Sequence, residues 1–359
     1  MRIFIISGEA SGDLHGANLV KEIKALSPEC IIEGWGGDKM SNAGVKIHKH
    51  YRELAFMGFA EVIANIRTIM RNFELCKSTI EAFQPDTLVL IDYPGFNLRM
   101  AEWAHQRGIR VVYYISPQIW AWKQGRIKKI KNFVDEMCVV LPFEKAYYAN
   151  FGMDVHFVGH PLLDEIKKES AILEKKKVIA LLPGSRKQEI STMLPIMLEA
   201  VKNFPSYTAT VAGAPGQDAS FYEPFLKGHN AEIVFGKTYE ILKSSTAGLI
   251  TSGTATLEGG IFKLPQIVCY KGNPLSYFIA RQLVKIKYIS LVNLILDKAA
   301  VKELIQYDLT VDNITSELRF IMNNPERQRQ IKDDYDTLEH VLGSGGASRN
   351  TAMVVLKKS

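Results

Sequence analysis

Five segments of this 359-residue chain set acidic, basic, hydroxyl or glycine residues directly behind a short apolar run, where a strand-end loop would offer them to a ligand. The first is Ser7-Gly8-Glu9-Ala10-Ser11-Gly12-Asp13-Leu14-His15-Gly16. Its glycines allow a sharp turn and close backbone approach, and a helix starting there would aim free N–H groups at an anion. They are spaced by four and so miss the G-x-G-x-x-G of a dinucleotide site, although Glu33 stands about where the ribose-binding acid of such a site would. Ser11 and His15 are candidates to line a substrate cleft; a structural helix start is the competing reading of His15. The second segment is Asp92-Tyr93-Pro94-Gly95-Phe96-Asn97. A strand-end acid that is partly buried has its pKa raised toward that of a working general base. Asp92 could instead cap the next helix or shape the Pro94–Gly95 turn.

The third segment, Ser116-Pro117-Gln118-Ile119-Trp120-Ala121-Trp122, brings two indoles into one loop. Trp120 there would suit a sugar face, an acyl chain or a bilayer interface, or else a satellite of the core. The fourth, Leu182-Pro183-Gly184-Ser185-Arg186, has the parts of a phosphate cradle: a small-residue turn at Gly184 and Ser185, then Arg186, whose guanidinium grips phosphate with two parallel donors. It is not a P-loop, and a plain strand–helix turn is the alternative. The fifth runs Thr251-Ser252-Gly253-Thr254-Ala255-Thr256-Leu257-Glu258. Gly253, Thr254, Ala255 and Thr256 would open a helix as an anion seat, and Glu258, one turn on, could accept both hydroxyls of a ribose or merely complement the helix dipole. Asp334-Tyr335-Asp336 has the form of a metal-binding D-x-D. It sits in a polar helical stretch with no strand before it and reads as a solvated face, so no metal is expected.

These loops need strands to carry them. Apolar runs at Arg2–Ile6, Cys30–Glu33, Thr87–Ile91, Arg110–Ile115, Glu136–Val140 and Val155–Val158 alternate with helical patterns near Asp13–Leu26, Ala60–Phe83, Leu98–Arg107 and Gln124–Phe133. A charged linker near Leu163–Lys177 precedes a second series, Val178–Leu182, Tyr207–Val211, Glu232–Phe235, Ala247–Ile250 and Gln266–Tyr270. The alternation predicts an α/β protein of two doubly wound, Rossmann-like domains with parallel sheets, their strand-end loops facing one cleft. The expected boundaries are an N-terminal domain at 1–165, a C-terminal domain at 175–335, and a helical tail at 336–359 able to return to the first domain.

At roughly 100–200 residues per domain the length also suggests two. Apolar residues make up 47% and charged residues 23%, an ordinary globular balance. The formal charge of +6 permits attraction to phosphates or an anionic bilayer and does not require nucleic acid. Cys30, Cys76, Cys138 and Cys269 lie far apart with no CxxC pair, which reads as buried core thiols in a reducing cytoplasm. The apolar runs fall short of the ~20 residues that a membrane-crossing helix needs, and Ile3–Ile6 is too short for a signal peptide.

The segments SGEASGDLHGA, GWGGDKM, MGFAEV, DYPGFN, YYISPQIWAWKQGRIKKIK, LPFEKAYY, FVGHPLLD, LLPGSR, TSGTATLE and SLVNL, kept in order from residue 6 to about residue 306, resemble the lipid-A-disaccharide synthases, inverting glycosyltransferases of the GT-B fold. The resemblance implies transfer of the sugar of UDP-2,3-diacylglucosamine to 2,3-diacylglucosamine 1-phosphate (lipid X), giving the lipid A disaccharide 1-phosphate and UDP, with no metal or other cofactor. It implies that Arg186, Thr254 and Glu258 hold the UDP, that Asp92 is the essential acid, and that Asn293 is a second polar site residue. Phe56, Met57, Phe59 and Ile66, with Arg67 and Arg71 nearby, would then enter the membrane or line an acyl groove, unless they belong to an amphipathic helix packed on its own sheet. The implied location is peripheral, on the cytoplasmic face of the inner membrane; a homodimer is allowed. The chain departs from the family in having Val292 where SLPN has proline, and Lys298 and Ala299 where Arg and Glu are usual, while Glu303 and Gln306 keep the pattern. The competing activities are a UDP-sugar 2-epimerase, a nucleotide-sugar or lipid-headgroup binding module, and an NAD-dependent dehydrogenase.

Overall fold

The computed structural model describes residues 1–54, 66–121, 124–166, 173–273 and 287–357. The chain forms two compact units, one of Met1–Glu165 with Ser344–Ser359, the other of Ile166–Gly343.

The first unit is built on seven parallel strands: β1 (Arg2–Ser7), β2 (Ile31–Gly36), β3 (Lys46–His50), β4 (Thr87–Ile91), β5 (Arg110–Tyr114), β6 (Glu136–Val139) and β7 (His156–Phe157), in the order β3-β2-β1-β4-β5-β6-β7. Every residue of β4 and all but the first of β1 are buried. This is why both parities of these strands are apolar: helices cover both faces of the sheet. The core runs from Phe4, Ile6 and Leu90 through Trp35, Phe96 and Tyr113 to Tyr148. The strand order reverses between β1 and β4, which pair from Ile3↔Thr87 to Ser7↔Ile91. The crevice beyond Ser7 and Ile91 is therefore the topological switch point, where such sheets bind ligands.

The second unit repeats the plan with β8 (Val178–Leu182), β9 (Thr208–Gly213), β10 (Ala231–Phe235), β11 (Ala247–Thr251), β12 (Gln266–Tyr270) and β13 (Lys302–Ile305), in the order β10-β9-β8-β11-β12-β13. All of its pairs are parallel, and its switch point lies between β8 and β11. Both units are thus the doubly wound α/β sheets expected from the alternation.

Two strands have no apolar run in the sequence. β3, KIHKH, and β13, KELI, are edge strands that carry charged residues in place of an apolar run, so only the neighbouring strand reveals them. Pro94, expected in a turn, is instead the first residue of the helix Pro94–His105, a position where its missing N–H costs nothing.

The last helix, Ala347–Leu356, packs on the helix Ala10–Leu26 within the first unit. Its N-terminal amides at Gly346 and Ser348 donate to the Asp164 carboxylate at 2.5 and 3.1 Å, and Arg110 donates to the carbonyls of Val354 and Val355 at 2.9 and 2.8 Å. An acid at the start and a guanidinium at the end satisfy the orphan groups and oppose the helix dipole. The Asp334-Tyr335-Asp336 triplet is not a solvated face. Asp334 is buried against Lys298, and the Tyr335 hydroxyl donates to the Leu264 carbonyl at 2.9 Å; Asp336 alone is exposed, paired with Lys263 and Lys332. All four cysteines are buried and unpaired. Among the described residues no helix is long and apolar enough to cross a membrane.

Candidate active site

At the first unit's switch point the backbone is strained. Asp92 (φ 44°) and Tyr93 (φ 49°) are consecutive left-handed residues, neither a glycine. Such conformations cost on the order of 1–3 kcal/mol each and persist only where the surroundings hold them. Here the Asp92 amide donates to the Tyr114 carbonyl at 3.1 Å, while the Asp92 carbonyl accepts from the Tyr113 hydroxyl at 2.6 Å and from Asn97 Nδ2 at 2.7 Å. The β1 loop closes from the other side: a side chain at Gly8 would put its Cβ 2.4 Å from the Tyr93 ring. This brings Glu9 beside Asp92. Burial, reinforced by the Glu9 carboxylate, pushes Asp92 up to about 6.

The rest of the first motif divides into parts. Ser11 is exposed on the first turn of its helix. Asp13 is buried, and its carboxylate accepts the amides of Gly37 at 2.7 Å and of Lys39 and Met40 at 3.1 Å, tying SGEASGD to GWGGDKM. Asp13→Ala is expected to cost about 2–4 kcal/mol of unfolding free energy in urea titrations, because three amides lose a charged acceptor; a change below about 1 kcal/mol would show the clamp to be idle. His15 is half-buried, with Nδ1 unpartnered, and burial pushes it down to about 4; its charged neighbours are Glu165, Asp164 and Lys39, so it belongs to the seam with the helix Pro161–Ile166. Glu33 is occupied by Lys46 at 3.2 Å and His48 at 2.5 Å, which removes the ribose acid of a dehydrogenase.

Trp120 is half-buried rather than core, and LPFEKAYY exists to hold its loop. Trp120 Nε1 donates to Glu144 at 3.3 Å, the Tyr147 hydroxyl donates to the Ile119 carbonyl at 3.3 Å, and Ser116 Oγ lies 2.8 Å from the Tyr148 hydroxyl. Burial pushes Glu144 up to about 7 even though the amides of Val140 and Leu141 also donate to it. Phe56, Met57 and Phe59 lie outside the described residues, as do Trp122 and the side chain of Ile66.

In the second unit two turns flank the β8–β11 switch point. After β8, Gly184 is left-handed (φ 114°), and the amides of Ser185 and Arg186 donate to Glu189 at 3.1 and 3.3 Å. The Arg186 side chain is 66% exposed, so its charge is available to solvent. After β11, the helix Thr254–Ile261 starts at Gly253, which has no side chain to cap it, and among the described residues no acid is bonded to the amides of Thr254 and Ala255; Gly253 and Thr254 are exposed, Ala255 is half-buried, and Thr256 is buried with its amide and hydroxyl both on the Gly253 carbonyl. Glu258 sits on this helix, pushed up to about 7 by burial. Asn293 is wholly buried and committed internally: Nδ2 donates to the Val301 carbonyl and to Glu303, and Oδ1 accepts from the Val301 amide, each at 2.9 Å. Glu303 gathers this turn by also accepting from the amides of Ile289 and Ser290 and the Ser290 hydroxyl, while Ser252 Oγ donates to the Ile289 carbonyl at 2.9 Å. Val292, next to Asn293, is fully buried.

The sequence profile of the lipid-A-disaccharide synthetases matches residues 3–356. The chain belongs to the lipid-A-disaccharide synthetase family. Relatives of that name include those of Syntrophus aciditrophicus, 37% identical over 99% of this chain and 97% of the relative, and of Geobacter metallireducens, 36% identical over the same shares. The lipid-A-disaccharide synthase of Coxiella burnetii is 37% identical over 98% of this chain and 97% of its own. Members of the lipid-A-disaccharide synthetase family are glycosyltransferases that condense two acylated glucosamine units in lipid A biosynthesis, and this chain is such an enzyme. Its fold is also that of a UDP-GlcNAc 2-epimerase from Neisseria meningitidis (TM-score 0.68, 14% identity, 100% of both chains) and of Acinetobacter baumannii MurG (TM-score 0.62, 10% identity, 99% of both). Those likenesses concern the GT-B fold alone; the family match separates the synthetase from the epimerase reading.

The structure thus brings Asp92 and Glu9 together in one unit and Arg186 with the Gly253–Glu258 turn in the other, and leaves His15 and Asn293 in structural settings. Glu9, Glu144 and Glu189 had no role in the sequence reading. Glu144 and Glu189 each stand third in a helix behind a strand, where a carboxylate can reach back to the helix start, but Leu141 and Arg186 stand where a Ser or Thr would have signalled such a cap; Glu9 needed the strand order.

Proposed function

We propose that Asp92 is the general base of the condensation, taking the proton from the 6-hydroxyl of 2,3-diacylglucosamine 1-phosphate as that oxygen attacks the anomeric carbon of UDP-2,3-diacylglucosamine. The single observation that carries this is an acid lifted to about 6 by burial and by Glu9, in a strained strand-end turn at a switch point. A base of that pKa is ionised at neutral pH yet still able to accept a proton. In this reading the first unit takes the acceptor, with Ser11 and Trp120 at its edge, and Asn293 acts only by shaping the Ser290 turn. The second takes the donor: the Arg186 guanidinium and the open amides after Gly253 meet the diphosphate, and Glu258 meets the ribose. Attack from the face opposite UDP inverts the anomeric centre, and the charge growing on the leaving diphosphate is met by donors already in place. Incubating the purified chain with both substrates and weighing the products tests the reaction: the disaccharide 1-phosphate should appear, and UDP release should require the acceptor. Acceptor-independent release would contradict transfer.

The same proposal places the enzyme on the cytoplasmic face of the inner membrane. Supporting it, the helix Ile66–Phe83 exposes Met70 and Leu75 (53% and 44%) beside the exposed Arg67 and Arg71, apolar and cationic groups suited to an anionic bilayer. A Phe59→Ser/Ile66→Ser double variant is expected to lose most flotation with anionic phospholipid vesicles. Undiminished flotation would remove this region from the membrane contact.

A further inference from the structure

The turn after β8 has the form of an anion cradle, yet its own acid fills it. Glu189 Oε2 accepts from both backbone amides, Ser185 at 3.1 Å and Arg186 at 3.3 Å, while Oε1 lies 3.7 Å from the Arg186 guanidinium. The fit is close enough to dictate Gly184: besides its left-handed φ of 114°, a Cβ there would stand 2.7 Å from Glu189 Oε2 and 2.8 Å from Glu189 Cβ. A diphosphate oxygen could reach those amides only by expelling a tethered carboxylate. The guanidinium is paired with the other oxygen of the same carboxylate, and at 66% exposure it still faces solvent. Gly184, Ser185, Arg186 and Glu189 therefore form one device, and its working end is the side chain of Arg186.

We propose that Glu189 is a positioning residue of the donor site: by holding the Ser185 and Arg186 amides and pairing with the guanidinium, it presets Arg186 to receive the diphosphate, and it stays in place when the donor binds. The proposal rests on the reading that Arg186 contacts UDP. Its logic is preorganisation, in which a group fixed before binding loses less freedom on binding. Gln at 189 keeps a carbonyl oxygen for the amides but loses the ion pair; Ala loses both.

The test is calorimetric titration of UDP into the wild type, Glu189→Ala, Glu189→Gln, Arg186→Ala and the Arg186→Ala/Glu189→Ala double variant, with KM measured for each substrate. Expected results are a roughly tenfold weaker UDP affinity in Glu189→Ala, a smaller loss in Glu189→Gln, a raised KM for the donor alone, and little further loss when Glu189→Ala is added to Arg186→Ala, since contacting residues are non-additive. Tighter UDP binding by Glu189→Ala would mean that the carboxylate competes for the amides, and would overturn the proposal. So would equal losses with and without Arg186, or a KM that rises for both substrates together with a lowered Tm, which mark a helix cap and nothing more. If Arg186→Ala binds UDP normally, the donor lies elsewhere, and the proposal falls together with that reading.

Discussion

Asp92→Asn is expected to lower kcat by roughly 10²–10⁴-fold, the usual contribution of a positioned general base, while UDP still binds with wild-type affinity. The carboxylate works in its ionised form, so wild-type kcat/KM should rise with pH through about 6 and level off above it. The Asn variant should lose that limb, and Glu9→Gln should move it to lower pH by removing a neighbouring negative charge. The effect on stability runs the other way. Because the folded-state pKa lies above the ordinary 3.8, the native state holds this proton more tightly than the unfolded chain, and Asp92 adds stability as pH falls through the window from about 6 to 3.8. At pH 7 the ionised group is instead a net cost, at most about 3 kcal/mol and less where solvent reaches it. The Asn variant should therefore be nearly inactive and melt higher at pH 7. Near-full kcat in a detergent assay would refute the base assignment; a lowered Tm with proportionate loss of activity would make Asp92 a structural residue.

Arg186→Ala is expected to reduce kcat/KM for the donor by roughly 10²–10³-fold, the scale for removing one preorganised donor from a developing anion. Arg186→Lys should recover only part of this, since an ammonium group offers no planar fork to two phosphate oxygens. The KM for the acceptor should not move. Steady-state rates with each substrate varied in turn, together with inhibition by product UDP, measure all three. Wild-type donor kinetics in the Ala variant would shift the diphosphate entirely to the turn after β11.

The amino-acid sequence by itself determined the two parallel sheets, because strands buried on both faces are apolar on both parities, and β1, β4, β8 and β11 show it through all but their end residues. It also determined which loops hold chemistry, since Asp92, Arg186 and the Gly253–Glu258 turn each follow such a strand directly. It could not reveal β3 or β13, edge strands that carry charged residues instead of an apolar run. Only the tertiary structure decided which loops become neighbours: β1 and β4 lie side by side although about eighty residues separate them, so Asp92 is buried, with Glu9 beside it, and its pKa is raised. Only the tertiary structure, too, turned Asn293 and Asp13 into clamps and placed Glu189 in the cradle behind Arg186. The reason is that burial and electrostatic coupling depend on distance through space, whereas the sequence records only distance along the chain.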